Sequence, residues 1–438
     1  MFSIMNILRI TLAKLLTFLY SFLSVFGAGI AISPELPETP DDFSPVLRFV
    51  ICSDIHLNGE DDQEEAKRFA KMFDTAYEYS ASQEHNTLDA FIVAGDMTNH
   101  GLPEEYRVFK NVINEKLRDE TQFMVCMGNH EFIAYRDVDA SEGTKVFEKE
   151  MQMNDDNSYT VNGYNFIICS YDENGKTFNA KKSWLNDELK KAKAQSGNKP
   201  IFVVQHPAPF ASVYGSINWG DITIPTILSR YPQVIDFSGH SHYPVNDPRS
   251  LWQGGFTALG CGTLSYFETE LDGIAGNFPY NNDQAAQFYI VEADDKGNVL
   301  IRAYDLITGQ WFDLEYYLTD LAKRHYAYSY LRMKTIDKDP AFENPEISAN
   351  KDDEGNTILS FNGAKDKFIT ESYKLSVTKN GLKVFEDNFS SKYMYLFEDD
   401  KYDINLGKLE KGKYHVQIVA MNAYAELSSP LNYTFTIE

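Results

Sequence analysis

Cysteine is scarce in this chain: four residues in 438, widely separated, with no CxxC pair. That excludes a disulfide framework and gives no support to a cysteine-based zinc site. Cys52, Cys126 and Cys169 each sit within an apolar run, where a free thiol serves as a small core residue. Positive charge is also short. Lys and Arg number 40 against 64 Asp and Glu, a formal net charge of -24. Nucleic-acid affinity rests on neutralising phosphates with cationic side chains, so no nucleic-acid scaffold binding is expected. A small anionic substrate stays compatible if bound metal ions offset the field locally. Charge of either sign is missing from Leu15 to Ile32, which Arg9 and Lys14 precede and the prolines and acids of residues 34–42 follow. A basic segment, an apolar segment and then small residues is the layout of a secretory signal, and the run is also just long enough to span a bilayer. Residues 1–32 are therefore read as a signal peptide or a membrane anchor. Either way the folded part lies outside the cytoplasm, secreted or anchored at the outer face of the membrane.

What is present is enough apolar material for a large core: 43% of residues are hydrophobic and 14% aromatic. The length suits two or three domains. Residues 33–44, rich in proline and acids, read as a linker. From 45 to 310 short apolar runs alternate with amphipathic segments, an α/β pattern. The runs are Val46 to Cys52, Ala90 to Ala94, Phe123 to Met127, Phe166 to Cys169, Ile201 to Val204 and Val234 to Phe237. Their continuous β-branched and aromatic character suits strands buried on both faces. Ala66, Phe69, Phe73 and Tyr77 share one helical face, as do Tyr106, Phe109, Ile113 and Leu117, and Pro103 suits the first turn of the second helix. Gln287 to Glu292 and Val299 to Tyr304 read as a late hairpin. Residues 311–339 read as a connecting segment. Residues 340–438 change character: Tyr373, Leu375 and Val377 alternate with polar residues, as do Tyr414, Val416, Ile418 and Ala420, and Asn380-Gly381 marks a turn. Half-buried strands without helical periodicity predict an all-β sandwich.

The chemistry lies where the runs stop. The first ends in Ser53-Asp54-Ile55-His56 and the second in Gly95-Asp96. The third ends in Gly128-Asn129-His130-Glu131, the fifth in Gln205-His206, and the sixth in Gly239-His240-Ser241-His242. Open α/β sheets build their sites at the carboxyl ends of strands. Singly, each motif has an ordinary structural explanation as a turn, a cap or a packed histidine. Five of nine histidines falling in these segments is hard to ascribe to packing.

This series closely resembles the calcineurin-like metallophosphoesterases. The resemblance covers residue 46 to about 305 and implies a four-layer α/β/β/α sandwich. It implies that Asp54, His56 and His242 hold one divalent ion. Asn129, His206 and His240 would hold a second, Asp96 would bridge both, and His130 would act as acid near the leaving-group oxygen. Imidazole and carboxylate donors suit Mn, Fe, Zn or Co. The implied reaction is hydrolysis of a small phosphate ester, through hydroxide made available by the metal pair. Two departures narrow the class. Asn99 stands where purple acid phosphatases carry a tyrosine. Gly-Asp-Met-Thr-Asn-His-Gly lacks the second Asp and the Arg of phosphoprotein phosphatases. A phosphodiesterase is the expectation, with a phosphomonoesterase or nucleotidase as the alternative. A non-catalytic surface binding protein is the rival of another class.

In the loop after His206, Tyr214 and Trp219 are the candidates for substrate stacking, against a packing role. Glu131 is read either as orienting a nearby histidine or, by preference, as capping the next helix, and His100 as a turn residue. The C-terminal strands resemble a fibronectin type III or Ig-like module, which leaves contact with the cell surface or another domain open.

Overall fold

The computed structural model describes residues 35–171 and 181–438. The expected signal or anchor thus lies outside the described residues. Among those described, no helix is long and apolar enough to cross a membrane. The chain divides into two compact units, one of residues up to 269 plus 278–332, the other of 270–277 plus 333–438.

The first unit runs β1 (Pro45–Cys52), α1 (Glu64–Ala81), β2 (Ala90–Ala94), α2 (Pro103–Lys116), β3 (Gln122–Cys126), α3 (Ser141–Met151), β4 (Asn157–Val161), β5 (Tyr164–Ile168), α4 (Lys182–Ser196), β6 (Ile201–Pro207), α5 (Ser216–Trp219), α6 (Pro225–Leu228), β7 (Val234–Gly239), β8 (Leu251–Gln253) and β9 (Thr257–Gly260). A short hairpin of the second unit, β10 (Thr269–Leu271) and β11 (Ile274–Asn277), interrupts it. The first unit closes with β12 (Gln287–Asp294), β13 (Val299–Asp305) and β14 (Gln310–Leu318).

One six-stranded sheet has the order β14-β13-β12-β1-β2-β3, the other β4-β5-β6-β7-β9-β8. β1, β2 and β3 pair in parallel, as do β5, β6, β7 and β9. Antiparallel strands complete both sheets. The layers follow from alternation along β1. Phe49 points between the sheets and meets the rings of Phe166, Phe202 and Phe237 at 5.2, 5.0 and 5.8 Å. Its neighbour Val50 faces the other way, into the core beneath Phe69, Phe73 and Phe109 of α1 and α2. The second sheet packs Ile201 and Val203 against Leu185 and Leu189 of α4. This is the expected four-layer sandwich. Truncating Phe49 to Ala would cost about 3–5 kcal/mol, since it removes a ring that ties the two sheets together.

The domain bounds differ from the sequence reading at three places. β14 continues the first sheet through Leu318, because Tyr316 and Leu318 pair with Ile301 and Val299 and are buried. The segment 311–339 is therefore largely sheet and helix rather than a connector. Residues 35–44 are tied down instead of hanging as a free linker: the Phe43 ring meets Tyr317 at 5.7 Å, and Thr39 Oγ1 donates to Glu315 at 2.9 Å. The hairpin β10–β11 groups with the second unit, where Lys374 pairs with Asp272 at 2.9 Å.

The second unit is an antiparallel sandwich of a three-stranded sheet, residues 347–351, 357–362 and 401–405, and a four-stranded sheet, residues 370–379, 382–390, 412–422 and 431–437. Phe361, Tyr373 and Tyr402 fill the space between the sheets, with centroids 4.8–5.6 Å apart. An all-β C-terminal domain is what the alternation predicts.

Candidate metal centre

Each candidate ligand lies at or just past the carboxyl end of a strand. After β1 the chain turns, and the N–H groups of Ile55 and His56 both donate to the carbonyl of Asp96, at 2.9 and 3.0 Å. This stitches the Asp54–His56 loop onto the loop after β2. The turn requires left-handed backbone at residues that rarely adopt it: φ is 53° at Asp54, 54° at His56, 49° at Asp96, 72° at His240 and 57° at His242. Such a conformation costs of order 1 kcal/mol or more per non-glycine residue and persists only where surroundings enforce it. Five candidate ligands share it, so the strain is concentrated in this cradle. The glycines of two motifs serve close approach. A β-carbon on Gly128 would fall 2.7 Å from His206 Cδ2, and one on Gly239 would fall 2.6 Å from Ser53 Cβ.

The side chains converge. His242 Nε2 lies 3.1 Å from Asp54 Oδ1 and 3.0 Å from His56 Nε2. His206 Nε2 lies 3.0 Å from Asp96 Oδ2 and 3.8 Å from Asp54 Oδ1. Asp54, His56 and His242 bring one ligand atom each within 4.8 Å of one another, and so do Asp96, His206 and His240. His56, Asp96 and His130 form a third such group, so His130 stands nearer the centre than a purely peripheral acid.

The imidazoles are oriented by the backbone. Nδ1 of His206, His242 and His130 faces the carbonyls of Ala94, Tyr266 and Asn99 at 2.8, 2.9 and 2.9 Å. A carbonyl only accepts, so Nδ1 carries the hydrogen and Nε2 is left to face inward. Asp54 Oδ2 accepts from the His240 amide at 2.9 Å and Asp96 Oδ1 from the His130 amide at 2.8 Å. Their other oxygens have no such partner. Asp54 Oδ1, Asp96 Oδ2, Asn129 Oδ1 and His206 Nε2 are all buried with no hydrogen-bonding partner outside the candidate ligands themselves. Buried polar atoms are ordinarily paired outside their own cluster, and Asp54 Oδ1 and Asp96 Oδ2, 3.8 and 3.0 Å from His206 Nε2, fit bound cations.

The electrostatics agree with that fit. Burial opposes ionisation of both carboxylates, yet the surrounding histidines hold Asp54 and Asp96 well below the usual carboxylate range. Burial pushes His240 down to about 3, with His206 adding to the effect. Burial also opposes protonation of His206, but Asp96 and Asp54 outweigh it and raise the group to about 9.

Several contributors escape sequence reading. Glu131 is buried and accepts from the amides of Gly128, Asp96 and Thr98 and the hydroxyl of Thr98, at 2.6–3.1 Å. Rather than only capping a helix, it pins the Gly-Asp loop to the Gly-Asn-His loop. Exposed Arg136 donates to the Asn129 carbonyl at 3.1 Å. The Tyr266 ring lies 4.1 Å from that of His242 and 5.7 Å from that of His56. No motif marks Tyr266, because it follows β9 on an irregular segment. Of the two aromatic candidates, Trp219 is partly exposed and sets its edge against His240 at 5.8 Å. Tyr214 is buried between the Tyr243 ring and the Arg249 guanidinium, an environment of packing.

Residues 47–244 match the family model described as calcineurin-like phosphoesterase, a span that begins in β1 and ends just beyond His242. This part of the chain is therefore similar to the calcineurin-like phosphoesterases, a family of metal-dependent phosphoric ester hydrolases. No curated protein sequence matches the chain. Among solved structures, the purple acid phosphatase PPD1 from yellow lupin (Lupinus luteus) seeds is similar at 14% identity and a TM-score of 0.42. That match covers 66% of this chain, which spans 55% of the phosphatase. The chicken CNTN1 FN1-FN3 domains match 34% of this chain and 47% of their own, at 14% identity and a TM-score of 0.19. A cytokine receptor complex matches 39% of this chain and 84% of its own, at 12% identity and a TM-score of 0.17.

Proposed function

We propose that this protein is an extracytoplasmic phosphoesterase with two metal ions that hydrolyses small phosphate esters, phosphodiesters foremost. The observation that carries the reading is the set of buried atoms on Asp54, Asp96, Asn129 and His206 that have no partner outside the candidate ligands. Asp54, His56 and His242 would hold one ion, and Asn129, His206 and His240 the other. Asp96, with two oxygens and two groups of neighbours, would serve both. The donor set suits Mn, Fe, Zn or Co. When bound, such a pair supplies Lewis acidity and lowers the pKa of water. The protein's own groups do the rest. Asp54 and Asp96 stay ionised and keep the centre charged without a proton to displace, while Asn129 offers a neutral carbonyl that limits the negative charge. His130, held by Asn99, keeps Nε2 turned inward, 3.9 Å from Asp96 Oδ2. Protonated there, it gives its proton to the departing alkoxide, a contribution of typically 10²–10⁴-fold.

The preference for diesters is supported by Asn99 and by the Gly-Asp-Met-Thr-Asn-His-Gly sequence, which depart from the monoesterase patterns. The location is supported by the layout of residues 1–32, through which alone a membrane would be touched. The C-terminal sandwich is read as a fibronectin type III-like spacer or contact module. Metal analysis of residues 33–438, combined with rates on bis- and mono-4-nitrophenyl phosphate, tests the reading. Two ions per chain are expected, with the diester turned over faster and both activities abolished by Asp96→Ala or His240→Ala. Faster monoester turnover assigns the monoesterase alternative. Absence of metal and of turnover on mono-, di- and pyrophosphate esters removes the proposal.

A further inference from the structure

Beside the centre the surface carries aromatic rings that the hydrolytic chemistry does not use. Trp219 is 37% exposed and lies edge-on to the His240 ring. Phe278 is 58% exposed, and its ring stands 5.8 Å from that of Tyr266, which in turn covers His242 at 4.1 Å. Each of the two exposed rings thus connects, directly or through one neighbour, to the ring of a different candidate ligand.

Both are held where they are by local structure. The loop after β6 closes on itself: Asp221 donates to Ala208 at 2.8 Å and Phe210 to Asp221 at 2.9 Å. Trp219 sits in the single turn α5, and Gly220 is crowded by Phe210, 2.9 Å from where a β-carbon would stand. On the other side, the Phe267 amide donates to the Asn282 carbonyl at 2.8 Å, which fastens the loop carrying Phe278. Large apolar groups left in water beside a polar centre forgo their burial energy, and such patches mark ligand sites. An aromatic face offers stacking to any planar ring with little regard to its substituents.

Building on the phosphoesterase reading, we infer that the site selects phosphate esters bearing a planar aromatic group, aryl or nucleoside, and that Trp219 and Phe278 are the residues that select it. The phosphate faces the centre, and the ring of the ester group that is retained lies against Trp219 or against Phe278 with Tyr266.

The test uses three diesters that share one leaving group: methyl, phenyl and thymidine-5′ 4-nitrophenyl phosphate. The full metal-loaded chain is expected to prefer the phenyl and thymidine esters over the methyl ester in kcat/KM. Trp219→Ala and Phe278→Ala are each expected to shrink that preference by about fivefold, mainly through KM. A thymidine rate above the phenyl rate assigns a nucleoside, and equal rates assign aryl groups in general. A wild-type enzyme indifferent to the three esters overturns the inference, as do variants that slow all three alike. Binding gives a second readout. Phenylphosphonate, but not methylphosphonate, should quench the part of tryptophan emission that Trp219→Phe removes. Equal response to both phosphonates overturns the inference even if no ester is hydrolysed, whereas absent hydrolysis with selective quenching strikes only the phosphoesterase reading.

Discussion

Nε2 of His206 stands 3.0 Å from Oδ2 of Asp96, both buried. In the metal-free protein the carboxylates outweigh burial and keep His206 protonated to about pH 9. A metal ligand must be neutral, so a cation entering here expels that proton. Affinity for the ion should therefore rise with pH up to about 9, by roughly tenfold per unit where one proton is released. The sign for folding is the opposite. A histidine raised from 6.5 stabilises the metal-free fold fully below pH 6.5 and loses that contribution between there and about 9. Calorimetric titration with Zn or Mn at pH 7, in two buffers of different ionisation enthalpy, should give close to one proton released from this group. Identical heats in the two buffers would refute the assignment.

Glu131 yields a second expectation. Its two oxygens receive four donors, one of them the amide of Asp96. Burial and then Asp96 raise the group to about 7, against those hydrogen bonds. Gln at this position turns an NH2 group toward amides that themselves donate, so at least one buried pair is lost. Glu131→Gln should cost about 2–4 kcal/mol, or roughly 5–10 °C in Tm, and should weaken metal binding because the Asp96 loop loosens. Melting curves with and without metal check it. An unshifted Tm would mean that the four hydrogen bonds are dispensable.

Close packing yields a third. Gly128 lies against His206 and Gly239 against Ser53 and Asp54. Gly239→Ala forces Ser53 or Asp54 to move, at typically 1–3 kcal/mol for overpacking, and the displaced Asp54 should lower metal occupancy. Elemental analysis of the folded variant is the measurement. Two tightly held ions in Gly239→Ala would show that the cradle tolerates the shift.

Much of this centre is legible in sequence, for a physical reason. Strands buried on both faces are mostly apolar, so the place where polar residues gather marks the carboxyl end of a strand, and Asp54, Asp96, Asn129, His206 and His240 all fall at or just past such an end. Other features leave no such mark. The left-handed backbone at Asp54, His56 and His242 is enforced by tertiary hydrogen bonds such as those to the Asp96 carbonyl, and no local propensity announces it. Tyr266 and Phe278 come from irregular segments, where only three-dimensional proximity assigns a role. The Tyr-rich stretch after Trp311 reads equally well as strand or connector until Tyr316 and Leu318 are seen paired with β13.

Asp236 supplies the last prediction, away from the catalytic groups. It is fully buried on β7, its Oδ1 accepts from Gln205 Nε2 at 2.8 Å, and its Oδ2 has no hydrogen-bond partner. Burial raises its pKa well above 3.8, only partly offset by Gln205, so the folded carboxyl holds its proton to higher pH than the unfolded one does. The contribution to stability is then complete below pH 4 and declines as pH rises toward the folded value. Asn in its place keeps an acceptor for Gln205 and carries no proton to lose. The stability of Asp236→Asn relative to the natural chain should therefore climb with pH above about 4, by up to about 1.4 kcal/mol per unit until the folded carboxyl ionises. Urea unfolding of both proteins at pH 5, 6.5 and 8 measures that slope directly, and the shared titration of the metal-site groups cancels in the difference. A difference independent of pH would mean that Asp236 ionises normally in the folded protein and that a solvating partner reaches it on the helix-covered face of the second sheet.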